Sequence, residues 1–223
     1  MSDEPSVTVA VESDISWSFW ARKLHSLSGI VPIGVFLLEH IWTNSHAVYG
    51  AESFNEAVKN LQSLPYVILL EIGIIVVPLL YHGLYGLLIT SQARPNNMQY
   101  NRLRNWMYLF QRVTGVILLC YIVFHVIETR VAMAVQGRVI TFEYMEEALR
   151  SPWLFWFYFA GMVSAVYHFA NGIWSFLVGW GITTTEKSMR RSGYVCAAIG
   201  LVLALFAVNS LFAFVGKAIV IKL

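Results

Sequence analysis

The chain has 223 residues, of which 57% are hydrophobic and only 13% charged, with a mean hydropathy of +0.61. A soluble domain carries about twice that share of charge, so the composition is that of an integral membrane protein. The net charge of +2 gives no argument for nucleic acid, and the two cysteines, Cys120 and Cys196, lie apart in apolar segments, which excludes a disulfide framework, a metal-ligand spacing and a CxxCH haem attachment.

The N-terminal stretch "MSDEPSVTVAVESDISWSF" is acidic and polar. It lacks the basic start and small-residue cleavage site of a signal peptide, and residues 1–22 are expected to form a polar cytoplasmic tail. A bilayer-spanning helix needs about 20 mostly apolar residues. Five segments meet that need, at 23–43, 65–90, 105–127, 153–181 and 194–216, so residues 23–223 are expected to form a single five-helix transmembrane domain. The two longer connections, 44–64 and 128–152, contain helical patterns in Phe54, Val58, Leu61 and in Phe142, Met145, Leu149. They predict short helices in one membrane interface, placed to lid a site. The connections 91–104 and 182–193 are compact and basic, which suits docking of a soluble partner, although short loops also simply join neighbouring helices. Nine Lys and Arg lie with the tail and these compact connections, against six on the opposite face. That bias predicts a cytoplasmic N-terminus and an outer C-terminus.

Ionisable side chains inside a membrane point to function by default. Of six histidines, His25 and His46 sit at segment ends, whereas His40, His82, His125 and His168 lie deeper, one in each of the first four helices. Counting from the inner helix ends at about 1.5 Å per residue, His40 and His125 fall about 25–30 Å out, near the outer face. His82 and His168, counted from the outer ends, fall about 22–25 Å down, in the inner part of the membrane. One such histidine alone is read equally well as a hydrogen-bonded structural residue or a proton relay. Two depth-matched pairs on four helices instead suit two imidazoles clamping a flat iron porphyrin in a bundle core. A zinc or di-metal site would want carboxylate or cysteine ligands at the same level. The stretch "YHGLYG" (81–86) is echoed by "YHFANG" (167–172). Gly86 and Gly172 each lie one turn past a histidine on its own face, where a macrocycle can rest against flat backbone. The alternative for these glycines, and for Gly83, is close helix packing. A proton-coupled transporter is the rival class, with Pro32 and Pro78 as possible helix breaks, but five spans and two matched histidine pairs fit it poorly.

The stretches "RKLHSLSGIVPIGVFLLEH", "AESFNEAVKNLQSLP", "VPLLYHGLYG", "RNWMYLFQRVTGVI", "FHVIETR", "YHFANGIWSFLVGWGIT" and "FAFV" resemble the five-helix, two-haem cytochrome b subunits of bacterial succinate:quinone oxidoreductase (succinate dehydrogenase, complex II), the Bacillus type in particular. The resemblance implies an all-α membrane fold whose first four helices bundle around two stacked haem b groups in a bacterial cytoplasmic membrane. It implies His40 and His125 as iron ligands of the outer, low-potential haem, and His82 and His168 as ligands of the inner, higher-potential one. It also implies electron exchange with a membrane quinone, menaquinone by preference, with the succinate side on a flavoprotein and an iron–sulfur subunit. No dinucleotide fingerprint is present in this chain, and two isolated cysteines cannot hold a cluster. The same carrier chain serves a quinol:fumarate reductase, so direction stays open.

Glu71, near the outer end of the second span, resembles a glutamate that related fumarate reductases use at their quinol site. A carboxyl bonded to a neighbouring helix is the equal alternative. The glutamate that those relatives carry in the fifth helix is missing from "GYVCAAIGLVLALFAVNSLFAFV", so a proton route there is not expected. Haem propionates need cationic or hydroxyl partners. Arg22, His25, Ser26 and Arg112 are candidates for the inner haem and Arg130 for the outer, although ordinary flanking charge explains most of these arginines as well. Arg112 lies inside its helix, where an unpaired charge is costly.

Overall fold

The computed structural model describes residues 17–219. Most of the expected tail, residues 1–16, and Lys222 lie outside the described residues. Among the described residues, five helices are long and apolar enough to cross a membrane: α1 (Trp17–Tyr49), α3 (Val67–Ser91), α4 (Leu103–Gln136), α6 (Pro152–Gly179) and α7 (Glu186–Ala213). Two short helices, α2 (Ala51–Gln62) and α5 (Phe142–Leu149), occupy the longer connections.

Three boundaries differ from expectation, each for a physical reason. α1 is already helical at Trp17, so residues 17–22 belong to the span and not to the tail. Exposed Trp17 and Trp20 extend its apolar stripe into the interfacial zone that tryptophan favours. α4 continues past 127 through a π-helical turn, Ile127–Val131, and carries Glu128 and Arg130 with it. α7 begins at Glu186 because Thr185 and Ser188 form a reciprocal capping box, which places Lys187, Arg190 and Arg191 on its first turns and not in a loop.

Proline sets the other irregularities. Pro32 has no N–H to donate, and α1 is interrupted by a turn at Val31 between Trp17–Ile30 and Pro32–Ser45. In α3 the π-helical stretch Glu71–Val76 directly precedes the segment that carries Pro78. π-Turns of this kind are frequent at functional sites.

α6 packs along α4 on one side and α7 on the other, while α7 also lies against the Pro32–Ser45 half of α1. The first half of α1 packs on α3 and α6. No residue of α3 is fully buried, as expected of a helix turned largely to lipid. The apolar faces of α2 and α5 turn inward. Phe54, Met145 and Leu149 join Phe155, Tyr158, Leu211 and Phe214 in the main core, so the two short helices cap the ends of α6 and α7. Asn55 fastens them together, accepting from Phe142 N at 2.8 Å and donating to the Glu143 carboxylate at 3.4 Å.

Candidate functional site

The deep histidines meet in two pairs. His82 of α3 and His168 of α6 face each other with ring centres 6.2 Å apart and planes at 82°. His40 of α1 and His125 of α4 do so at 5.8 Å and 72°. Two imidazoles sharing one metal through nitrogens about 2 Å from it place their ring centres roughly 6 Å apart. Among the described residues, no three His, Cys, Asp or Glu side chains converge in a metal-holding cluster.

The neighbours of the His82–His168 pair fix which ring nitrogen is free. His82 Nδ1 lies 3.0 Å from the His25 carbonyl oxygen and 3.3 Å from Ser28 Oγ. The Ser28 hydroxyl itself donates to that carbonyl at 2.9 Å, so His82 carries its proton on Nδ1 and leaves Nε2 as the lone-pair donor. His168 repeats the arrangement: Nδ1 is 3.2 Å from Thr114 Oγ1, whose own proton goes to the Phe110 carbonyl at 2.6 Å. Metal-bound histidines are oriented in this way by the partner of their second nitrogen. Gln111 adds a donor to the His168 carbonyl at 3.1 Å.

Glycines give these rings room. A Cβ at Gly29 would lie 2.5 Å from His82 Cε1, and one at Gly115 would lie 3.1 Å from His168 Cε1. Gly86 serves a different ring from the one expected: the His25 imidazole lies against it, 3.2 Å from a Cβ position, and stacks on His82 at 4.1 Å. Gly172 faces Gln111 at ordinary contact distance. Gly83 meets only Leu119.

The surroundings of the His82–His168 pair have unspent polar groups. His25 Nδ1 and Arg112 Nε are buried without a partner. Arg112 donates to the Tyr108 carbonyl at 2.8 Å and lies 3.3 Å above the Tyr108 ring. Exposed Arg22 bonds Gln92 at 3.2 Å and stays within Coulombic reach of both His25 and Arg112. Ser26 is half-buried beside His25, but the serine that engages the histidines is Ser28.

At the His40–His125 pair Tyr158 OH lies 3.3 Å from His125 Nδ1, and Tyr121 stacks on the His125 ring at 5.6 Å. Thr43 donates to Glu39 Oε1 at 2.5 Å, leaving Glu39 Oε2 buried without a partner. The structure brings Glu71 and Arg130 together in a bidentate ion pair: Nε lies 2.9 Å and Nη2 2.7 Å from Oε2, with Nε 3.0 Å from Oε1. Each partner sits on one of the two π-helical turns.

The donor set and the space suit a porphyrin. At the His82–His168 pair, imidazoles with their Nδ1 atoms engaged, walls cleared at Gly29 and Gly115, and the buried unpaired Arg112 Nε–H fit a flat macrocycle bearing anionic propionates.

Residues 90–207, more than half of the chain, match the family described as succinate dehydrogenase/fumarate reductase transmembrane subunit. The chain is also 46% identical over 197 residues to the succinate dehydrogenase cytochrome b558 subunit of Bacillus subtilis (strain 168), covering 88% of this chain and 97% of that protein. The chain belongs to this succinate dehydrogenase/fumarate reductase transmembrane subunit family. The chain is also 35% identical over 75 residues to the succinate dehydrogenase hydrophobic membrane anchor subunit of Halobacterium salinarum, covering 34% of this chain and 56% of that protein. The matched segment 90–207 of this transmembrane subunit holds all of α4 and α6, and hence His125 and His168.

Proposed function

We propose that this subunit is the di-haem cytochrome b anchor of a bacterial succinate dehydrogenase and carries electrons from its iron–sulfur subunit to a membrane quinone, menaquinone by preference. The observation that carries the reading is the meeting of four deep histidines in two opposed pairs, at 5.8 and 6.2 Å. His40 and His125 hold the outer haem b, and His82 and His168 the inner one. Held between such imidazoles, a haem would supply a one-electron carrier.

The chain's own residues do the rest. The His25 carbonyl and Ser28 orient His82, Thr114 orients His168, and Tyr158 orients His125. Arg112, Arg22 and the free His25 Nδ1 offer positive or donor groups to the inner propionates. The quinone takes up two electrons and two protons, and Glu71 stands in the outer half as a candidate proton-handling carboxyl. Its pairing with Arg130 gives that arginine a partner besides a propionate. The flavoprotein and iron–sulfur subunits dock on the compact basic inner face, with the N-terminus in the cytoplasm and the C-terminus outside.

The purified complex, made with haem supplied, is expected to give a reduced-minus-oxidised spectrum of two b-type haems per anchor chain. A spectrum without b-type haem would overturn the proposal. In intact membranes, menaquinone-linked succinate oxidation is expected to slow when an uncoupler is added, since menaquinone is a low-potential acceptor.

A further inference from the structure

α3 and α4 touch at one level and part at the next. A Cβ on Gly83 would meet Leu119 at 3.5 Å, so the two helices pack closely there. Val76 comes seven residues before Gly83 and Val126 seven residues after Leu119. Each therefore shares a face with its helix-mate, about 10 Å further toward the His40–His125 pair. Continued close packing would bury both valines, yet they are 43% and 38% exposed. Beyond them, Glu71–Val76 packs mainly on the Pro32–Ser45 half of α1. What spans the gap to α4 is the Glu71–Arg130 ion pair, at 2.7 Å. The result is a narrow, lipid-facing slot beside the His40–His125 pair, closed at one end by Gly83 on Leu119 and at the other by the ion pair.

The ion pair depends on a backbone irregularity. Glu71 comes twelve residues before Gly83. In a regular α-helix, at about 100° per residue, it would point about 120° away from the face that meets α4. The π-helical stretch Glu71–Val76 widens the turn by one residue, which rotates Glu71 back by about 100°. Glu71 therefore reaches Arg130 only while that stretch stays π-helical. The same part of α3 is loosely held. No residue from Val67 to Val76 is buried, and a Cβ at Gly73 would meet nothing within 4 Å. Tyr66, just before it, is the one non-glycine residue with positive φ among the described residues, at 58°. That left-handed conformation is strained for a bulky side chain, so strain sits where the segment would turn. Shifts of helix register take microseconds to milliseconds, which is fast enough for enzyme turnover.

We propose that the Glu71–Arg130 pair is the latch of a lateral portal between α3 and α4. Return of Glu71–Val76 to α-helical register turns Glu71 away from Arg130 and opens the slot, through which a flat, lipid-soluble quinone passes edge-on from the bilayer. The inference rests on the reading of this chain as the quinone-reactive subunit.

The test uses the whole complex in nanodiscs, with haem spectra reporting the folding of each variant. Hydrogen exchange is expected to be faster across 67–77 than across 79–90 of the same helix. Arg130→Gln should quicken 67–77 at least a further fivefold and leave 79–90 unchanged. Deletion of Gly73, which restores regular α-helical register, should do the same although both charged residues remain. The slot itself is probed at Val76. Val76→Trp should lower kcat/KM for a tailed naphthoquinone at least fivefold, Val76→Ala should not lower it, and succinate oxidation by a water-soluble acceptor should be unchanged in both. Val76→Phe is measured in place of a Trp variant that loses a haem. Exchange that is uniform along α3 in wild type and variants, or slot-filling that leaves kcat/KM for the naphthoquinone unchanged, would overturn the portal. If that happens while the wild-type complex reduces the quinone, only the portal fails. If the wild-type complex reduces no quinone at all, the functional reading fails.

Discussion

Gly29→Ala is expected to damage the inner haem site alone. The new Cβ would stand 2.5 Å from His82 Cε1 and 3.1 Å from Nδ1. Carbon atoms rest at about 3.5–4.0 Å, so the ring must retreat by about 1 Å. It has little freedom to do so, because its Nδ1 is held by the His25 carbonyl and Ser28, both on the helix that carries Gly29. Overpacking of this kind costs about 1–3 kcal/mol. At about 1.4 kcal/mol per factor of ten, the inner haem should bind about 5- to 150-fold more weakly. Gly73→Ala is the control, because a Cβ there meets nothing within 4 Å. The assay is an optical redox titration of the purified complex, resolving two b-type components. The Gly29→Ala variant should lose or shift the higher-potential component and keep the other, and the Gly73→Ala variant should keep both. Two unaltered components in Gly29→Ala would refute the packing argument and the place given to His82.

Thr114→Val leaves the His168 Nδ1–H without its acceptor, an unsatisfied group worth about 1–3 kcal/mol, so the inner haem potential should move while Thr114→Ser restores it. Glu71→Gln and Arg130→Gln should each lower the thermal stability of the complex more than the double variant does. The cost of each should be about 1–2 kcal/mol, below that of a fully buried pair because the side chains are 30% and 40% exposed; equal melting of all three would remove the pair as a structural element. At the α2–α5 cap, the first-turn backbone N–H, Thr141 and Asn55 hold the Glu143 carboxyl below its ordinary pKa. A depressed carboxylate stabilises the fold above its unfolded-state pKa and loses that contribution as pH falls through the folded value. Hydrogen exchange across 141–149 should therefore quicken below the usual carboxylate range in wild type, and Glu143→Gln should lack the step.

The spans were legible because long apolar runs have few alternatives, and the pairing of the deep histidines followed from helix rise alone. The residues that orient them were not. Serine and threonine are common in membrane helices, where they usually bond their own backbone, and Ser28 and Thr114 do that too. A signal was present in the Ser28–Gly29 and Thr114–Gly115 dipeptides, each at the same distance before its histidine. Only "YHGLYG" and "YHFANG" were read as an echo. Gly86 looked like bare backbone for a ring, but His25, whose side chain reaches from another helix, takes that place. Arg130 is a propionate candidate from sequence, and its partner Glu71, 59 residues away on another helix, is not marked by any local spacing. The ends of α1, α4 and α7 were misplaced because aromatic, paired and capped residues extend a helix beyond its apolar stretch.

The central claim is the pairing of ligands across helices, and its most direct test is haem counting in four single variants, His40→Ala, His82→Ala, His125→Ala and His168→Ala, by redox-resolved optical and EPR spectra of the purified complex. The account predicts that His82→Ala and His168→Ala lose the same higher-potential haem, and that His40→Ala and His125→Ala lose the other. Loss of one shared haem by His40→Ala and His82→Ala, or a variant that keeps both haems unchanged, would contradict it.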